Sequence, residues 1–136
     1  SLLPKEKVGE NFYNRGVLNA IIIAEAVRNA QKITGKKAIT GEDMRRGLET
    51  LNISAARLKE LGAEGFAAPM QVSCDDHNGH NAAYMGRWDG TKWTKGSDWI
   101  SPIKDKVVPL IDQAAKDYAG ANSGWPKRTE ACDKST

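Results

Sequence analysis

The chain has 136 residues, of which 40% are apolar and 27% charged, with twenty Lys and Arg set against seventeen Asp and Glu for a net charge of +3. This is the size of one domain able to bury a core of its own, and the apolar run from Val17 to Val27 argues against disorder. No apolar stretch reaches the roughly 20 residues of a bilayer span, and the basic pairs are too scattered to mark a nucleic-acid surface.

In chain order, the pattern predicts one long helix from Phe12 to Ile33, apolar almost all round between Val17 and Val27. A helix of that kind must be covered on most sides. The rest of the chain offers little material for this, so the helix is expected to pack against a sheet supplied by residues absent here. Gly35 suits the helix end, with Lys32 in its last turn. Thr40-Gly41-Glu42-Asp43 resembles a capping start, although the reciprocal box prefers Glu or Gln at its last position. Met44, Leu48 and Leu51 then follow at helical spacing. Ser54 caps a short helix through Leu58 and Leu61, which Gly62 ends.

Beyond Gly65 the texture becomes that of strands. Met70 to Cys74 reads as a strand, 75–81 as a polar turn, Ala83 to Trp88 as a second strand and Lys92 to Trp99 as a third, with Asp89-Gly90 as the hairpin signal. Trp88, Trp93 and Trp99 are expected to supply most of the apolar mass of this meander. Ser101-Pro102 opens a last helix, with Ile103, Val107, Leu110, Ile111, Ala114 and Tyr118 as its buried stripe and Pro109 bending it. The chain is read as a single piece, residues 1–136: a helical part (8–62), a strand meander (66–100), and a C-terminal helix with its tail (101–136).

Reactive side chains gather in two places. Cys74, Asp75, Asp76, His77 and His80 fall within seven residues, and thiolate with imidazole is zinc-ligand chemistry. The spacing is not a recurring zinc pattern, however, and adjacent Asp75 and Asp76 would point to opposite sides of a strand. Cys74 and Cys132 are open to three readings: a pair, two free thiols, or part of a metal site. Pairing would imply an oxidising compartment. The second cluster, Phe12, Tyr13, Asn14 and Arg15, stands at the start of the long helix, where free N–H groups suit a carboxylate. No nucleophile elbow, phosphate loop, zinc-protease helix or dinucleotide fingerprint is present, so an enzyme is not expected, nor a metal or other cofactor.

Taken together, the run from Tyr13 to Ala20, Thr40 to Glu49, Val72 to Gly79 and Arg87 to Trp93 resembles the C-terminal part of substrate-binding proteins of branched-chain amino-acid-type ABC transporters. These are the type I periplasmic binding proteins, or extracellular ligand-binding receptors. The resemblance implies an α/β fold, the C-terminal portion of a two-lobed protein, with hinge strands between Met70 and Trp99. It implies capture of a small amino acid, amide or carboxylate-bearing solute, aromatic compounds included, between two lobes that close about a hinge. Delivery would be to membrane permease subunits, from the periplasm, with the missing N-terminal part of the polypeptide supplying the other wall. By the same resemblance Tyr13, with Phe12 and Asn14 beside it, borders the ligand cleft, and Cys74 pairs with Cys132. A ligand-sensing regulatory receptor of the same fold is the alternative. A small metal- or thiol-dependent enzyme built on Cys74, His77 and His80 is a more distant one.

Overall fold

The computed structural model describes residues 5–79 and 82–124, which fall into two units dividing near residue 80. The N-terminal unit begins with a 3-10 turn at Lys5–Lys7 and the 24-residue helix α1, Asn11–Thr34. Gly35 ends α1 with φ 70°, and its N–H reaches the Gln31 carbonyl at 2.8 Å. A left-handed residue here costs glycine nothing and satisfies a carbonyl that the helix leaves free.

Helix α2, Gly41–Glu49, starts at a complete capping box. The Thr40 hydroxyl accepts from the Asp43 N–H at 3.2 Å, and the Asp43 carboxylate accepts from the Thr40 N–H at 2.9 Å. Aspartate thus does what the longer Glu or Gln was expected to do, and the Lys36 ammonium also reaches it, at 3.1 Å. Ser54 caps α3, Ala55–Glu60, by accepting from the Arg57 N–H, and Gly62 follows with φ 71°. Between α2 and α3 lies a strand that helical spacing concealed: β1, Asn52–Ile53, pairs antiparallel with β2, Met70–Gln71. The expected Met70–Cys74 strand is therefore only two residues long. From Ser73 the chain already turns, with the Ser73 N–H on the Asp76 carbonyl and the Asp76 N–H on the Ser73 hydroxyl.

The core of this unit consists of Ala26, Leu51, Ile53, Leu58, Ala63, Ala67 and Met70, with Leu18, Ile21, Ile22, Met44, Leu48 and Val72 packed against it. Helices α1 and α2 approach at small residues: Ala26 and Ala30 are fully buried, and Gly47 faces both. The Asn29 amide bridges the Gly47 carbonyl and the Thr50 hydroxyl, each at 2.9 Å. Arg57 ties α3 to α1 through two bonds to the Glu25 carboxylate, at 2.8 and 3.0 Å. That guanidinium, followed by Arg28, holds the Glu25 carboxyl below its ordinary value even though burial opposes the shift.

The described residues, however, cover only one side of α1. Val17 is 36% and Ile23 55% exposed, while Ala26 and Ala30 show no surface.

In the C-terminal unit, β3, Gly86–Trp88, and β4, Trp93–Lys95, form a hairpin in which Trp88 faces Trp93, and a single bridge joins Ala83 to Ile100. The strands are shorter than the alternation predicts. The turn is closed by Asp89, whose carboxylate accepts from the N–H groups of Thr91 and Lys92, both at 2.9 Å, with Gly90 at φ 103°. Those backbone N–H groups, Lys92 first, draw the Asp89 carboxyl below its usual value.

Helix α4, Lys104–Ala121, is capped at Ile103 rather than Ser101, and the Lys104 N–H bonds the Pro102 carbonyl at 3.0 Å. Pro102 thus belongs to the turn ahead of the helix. Among the described residues of this unit none is buried. Of the tryptophans expected to supply most of the apolar mass, Trp88 and Trp93 pack on one another with centroids 5.7 Å apart and remain mostly in solvent, while Trp99 is half-buried edge-on to Tyr84 at 5.0 Å. The stripe expected to be buried along α4 is likewise exposed at Ile103, Val107, Leu110, Ile111 and Tyr118.

Candidate functional site

The N-terminal unit contains an apolar pocket of about 380 Å³. It is lined by Ile22 from α1, Leu48 from α2, Met70 from β2, and Val72, together with Arg45, Glu49, His77, Asn78 and Gly79. The size and the apolar lining with a few polar groups are those of a small-molecule or side-chain site.

Each element contributes for a local reason. Helix α2 places Arg45 and Glu49 one turn apart, so their side chains meet, with Arg45 Nη1 2.6 Å from Glu49 Oε2. On its other side Arg45 is paired with Glu42. The two carboxylates, Glu42 first, push the guanidinium further toward its charged form, and Arg45 in turn draws Glu42 below its ordinary value. The loop after β2 is folded by its own polar groups. Asn78 N–H bonds the Asp76 carboxylate at 3.0 Å, and the Gln71 N–H bonds the Gly79 carbonyl at 3.2 Å. Gly79 has φ 63°, and a Cβ there would lie 2.8 Å from Val72 Cγ2, so only glycine lets the loop close over that wall. This brings His77 Nε2 to 3.3 Å from Glu49 Oε1. Glu49, with a side chain only 9% exposed, is therefore bracketed by Arg45 and His77. Chemically the pocket offers an apolar cavity with three ionisable groups in its lining, the Glu49 carboxylate engaging both the Arg45 guanidinium and the His77 imidazole.

Of the residues singled out in the sequence, Phe12, Tyr13 and Asn14 lie together at the start of α1 but do not line this pocket. Phe12 is 82% exposed and Tyr13 half-buried, while the Asn14 amide is spent on the Gly9 carbonyl at 2.9 Å. Cys74 is disulfide-bonded, whereas Cys132 and His80 lie outside the described residues. Among the described residues no three His, Cys, Asp or Glu side chains are placed to share a metal ion. Sequence reasoning missed Arg45 and Glu49. Their signal was present as a Glu42, Arg45, Glu49 run at helical spacing, but the apolar walls beside them are assembled only by tertiary packing.

No family model and no curated protein matches the chain. A solved structure does: the chain is similar, at 39% identity and a TM-score of 0.81, to an ABC transporter permease from the Pseudomonas fluorescens group. The match covers 93% of this chain and 31% of that one, so the chain spans less than a third of the protein it resembles.

This finding overturns the assignment to periplasmic substrate-binding proteins and ligand-binding receptors. The similar protein is described as a permease, the component to which such a receptor would deliver its solute. Capture of an amino acid between closing lobes falls with that assignment, and so do permease subunits as separate partners and the sensing-receptor alternative. What remains is the likeness to a protein described as an ABC transporter permease. The physical reason is that the quoted motifs encode a helix cap, a polar turn and a hairpin. Local chemistry of that kind fixes backbone geometry and leaves the role of the whole protein open.

Proposed function

We propose that the chain is a non-enzymatic part of an ABC transporter permease component that lies outside the bilayer. The observation that carries this reading is the likeness over 93% of the chain to a protein described as such a permease. No described helix is long and apolar enough to cross a membrane, which supports a position beside the bilayer for these residues. The disulfide at Cys74 supports the oxidising, periplasmic side, since cytosolic thiols are kept reduced. A non-enzymatic role is supported by the pocket, where Glu49 is already engaged by Arg45 and His77 and most of the lining is hydrocarbon. Such a pocket suits an apolar side chain of a neighbouring transporter segment better than a reacting substrate.

The test is isolation of the chain, by an antibody raised against it, from mild-detergent extracts of the cells that make it. Recovery with membrane protein and with an ATP-hydrolysing subunit is expected. Recovery from the soluble fraction, free of both, would refute the proposal.

A further inference from the structure

The covered side of α1 is explained by the core, but the opposite side is not. Tyr13, Val17, Ala20, Ala24 and Val27 recur at three- and four-residue intervals and form one stripe along four turns, with Ile23 at its edge and no charged residue within it. Val17, Ala20 and Ile23 are exposed, and Tyr13, Ala24 and Val27 are half-buried. The charges of this helix lie beside the stripe, as with Arg28, or on the core side, as with Glu25, which Arg57 neutralises. A helix apolar on two opposite sides belongs between two layers. Among the described residues one layer is present. The alanines in the middle of the stripe lower its relief, which suits close approach of a flat apolar surface such as a sheet face.

The similar permease supplies the second observation, because it superposes on 93% of this chain and yet contains more than twice as much polypeptide again. We infer that the outer stripe of α1 is a docking face for one occupant, an apolar polypeptide surface supplied by the counterpart of the portion of that permease which this chain does not cover. The occupant is protein rather than lipid. A helix lying in a membrane surface carries Lys and Arg along its other face, and the other face of α1 is already packed on Leu51, Ile53 and Leu58. The inference rests on the structural likeness and stands apart from any transport role.

The test is a chimera in which this chain replaces the matching segment of the Pseudomonas fluorescens group protein, compared with the isolated chain, each with and without Val17→Asp and Ala20→Asp. The isolated chain is expected to be monomeric by light scattering and to lose no more than about 2 °C in Tm, since both side chains meet solvent. The chimera is expected to fold, and to lose more than about 10 °C or its solubility when either charge is introduced. Three results would each overturn the inference. One is a chimera that tolerates both charges as well as the isolated chain does. Another is a chimera that fails to fold with the stripe intact. The third is an isolated chain that dimerises through the stripe and becomes monomeric with Val17→Asp, which would give the face to a second copy.

Discussion

Gly47 sits where α2 crosses α1, and replacing it with alanine tests whether close approach of the two helices is what organises the N-terminal unit. A Cβ at this position would lie 2.4 Å from the Ala26 carbonyl oxygen, 2.8 Å from Ala30 Cβ and 3.0 Å from the Ala30 nitrogen. None of these atoms is the end of a flexible side chain, so the helices themselves must separate. Overpacking of this kind costs about 1–3 kcal/mol, and the rigidity of the neighbours places Gly47→Ala at the upper end. Separation also stretches the two 2.9 Å bonds of the Asn29 amide, at about 1 kcal/mol. Against this stands a gain of roughly 1 kcal/mol in helix propensity.

The net expectation is a loss of about 2–3 kcal/mol, or a fall of about 1 M in the urea midpoint with unchanged slope. Gly16, also inside a helix, has nothing within 4 Å of its Cβ position. Gly16→Ala should therefore stabilise by about 0.5–1 kcal/mol. The assay is urea denaturation followed by far-UV circular dichroism on both variants. Equal stabilisation by the two substitutions would refute the close-crossing argument.

Leu58 is 2% exposed in the middle of the core, so Leu58→Ala should cost about 2–5 kcal/mol in the same assay, and a loss below 1 kcal/mol would mean the site collapses freely. Asp43 is drawn from 3.8 to about 2 by the Thr40 N–H first, then by the Lys36 ammonium and the Thr40 hydroxyl. Its ionised form therefore favours the fold, so the advantage of the native chain over Asp43→Asn should be full above pH 3.8, shrink as the pH falls, and vanish only below about pH 2. A difference in urea midpoint that stays constant across this window would contradict the assignment. Cys74 should resist alkylation in the native, unreduced protein and become labelled only after reduction. Labelling without reductant would remove the argument for an oxidising compartment.

The parts of the fold legible in the sequence are those governed by neighbours along the chain. Thr40 and Ser54 as caps, Gly35 and Gly62 as terminators, and the long helix all follow from local hydrogen bonding and 3.6-residue periodicity. What escaped is set by distant partners. Strand β1 exists because Asn52 and Ile53 meet Gln71 and Met70, a pairing that nothing in the helical spacing of Leu48 and Leu51 announces. Apolar residues also do not declare what will cover them. Trp93 and Leu110 look like core in the sequence and stand 73% and 71% exposed in the structure. In the pocket, the Arg45–Glu49 pair is visible as a helical i,i+4 contact. The meeting of His77 with Glu49 depends on how the 73–79 loop folds back. The role of the protein was least legible, because caps and hairpins serve many proteins alike.

The Asn29 amide grips both a carbonyl and a hydroxyl at the end of α2, while Gly47 lies against Ala26 and Ala30. Sliding of one helix along the other would break two hydrogen bonds and drive backbone into backbone. The pair is therefore built to travel as a single lever, with a displacement of α1 at Ala26 and Ala30 carried into the Arg45 and Glu49 turn of α2.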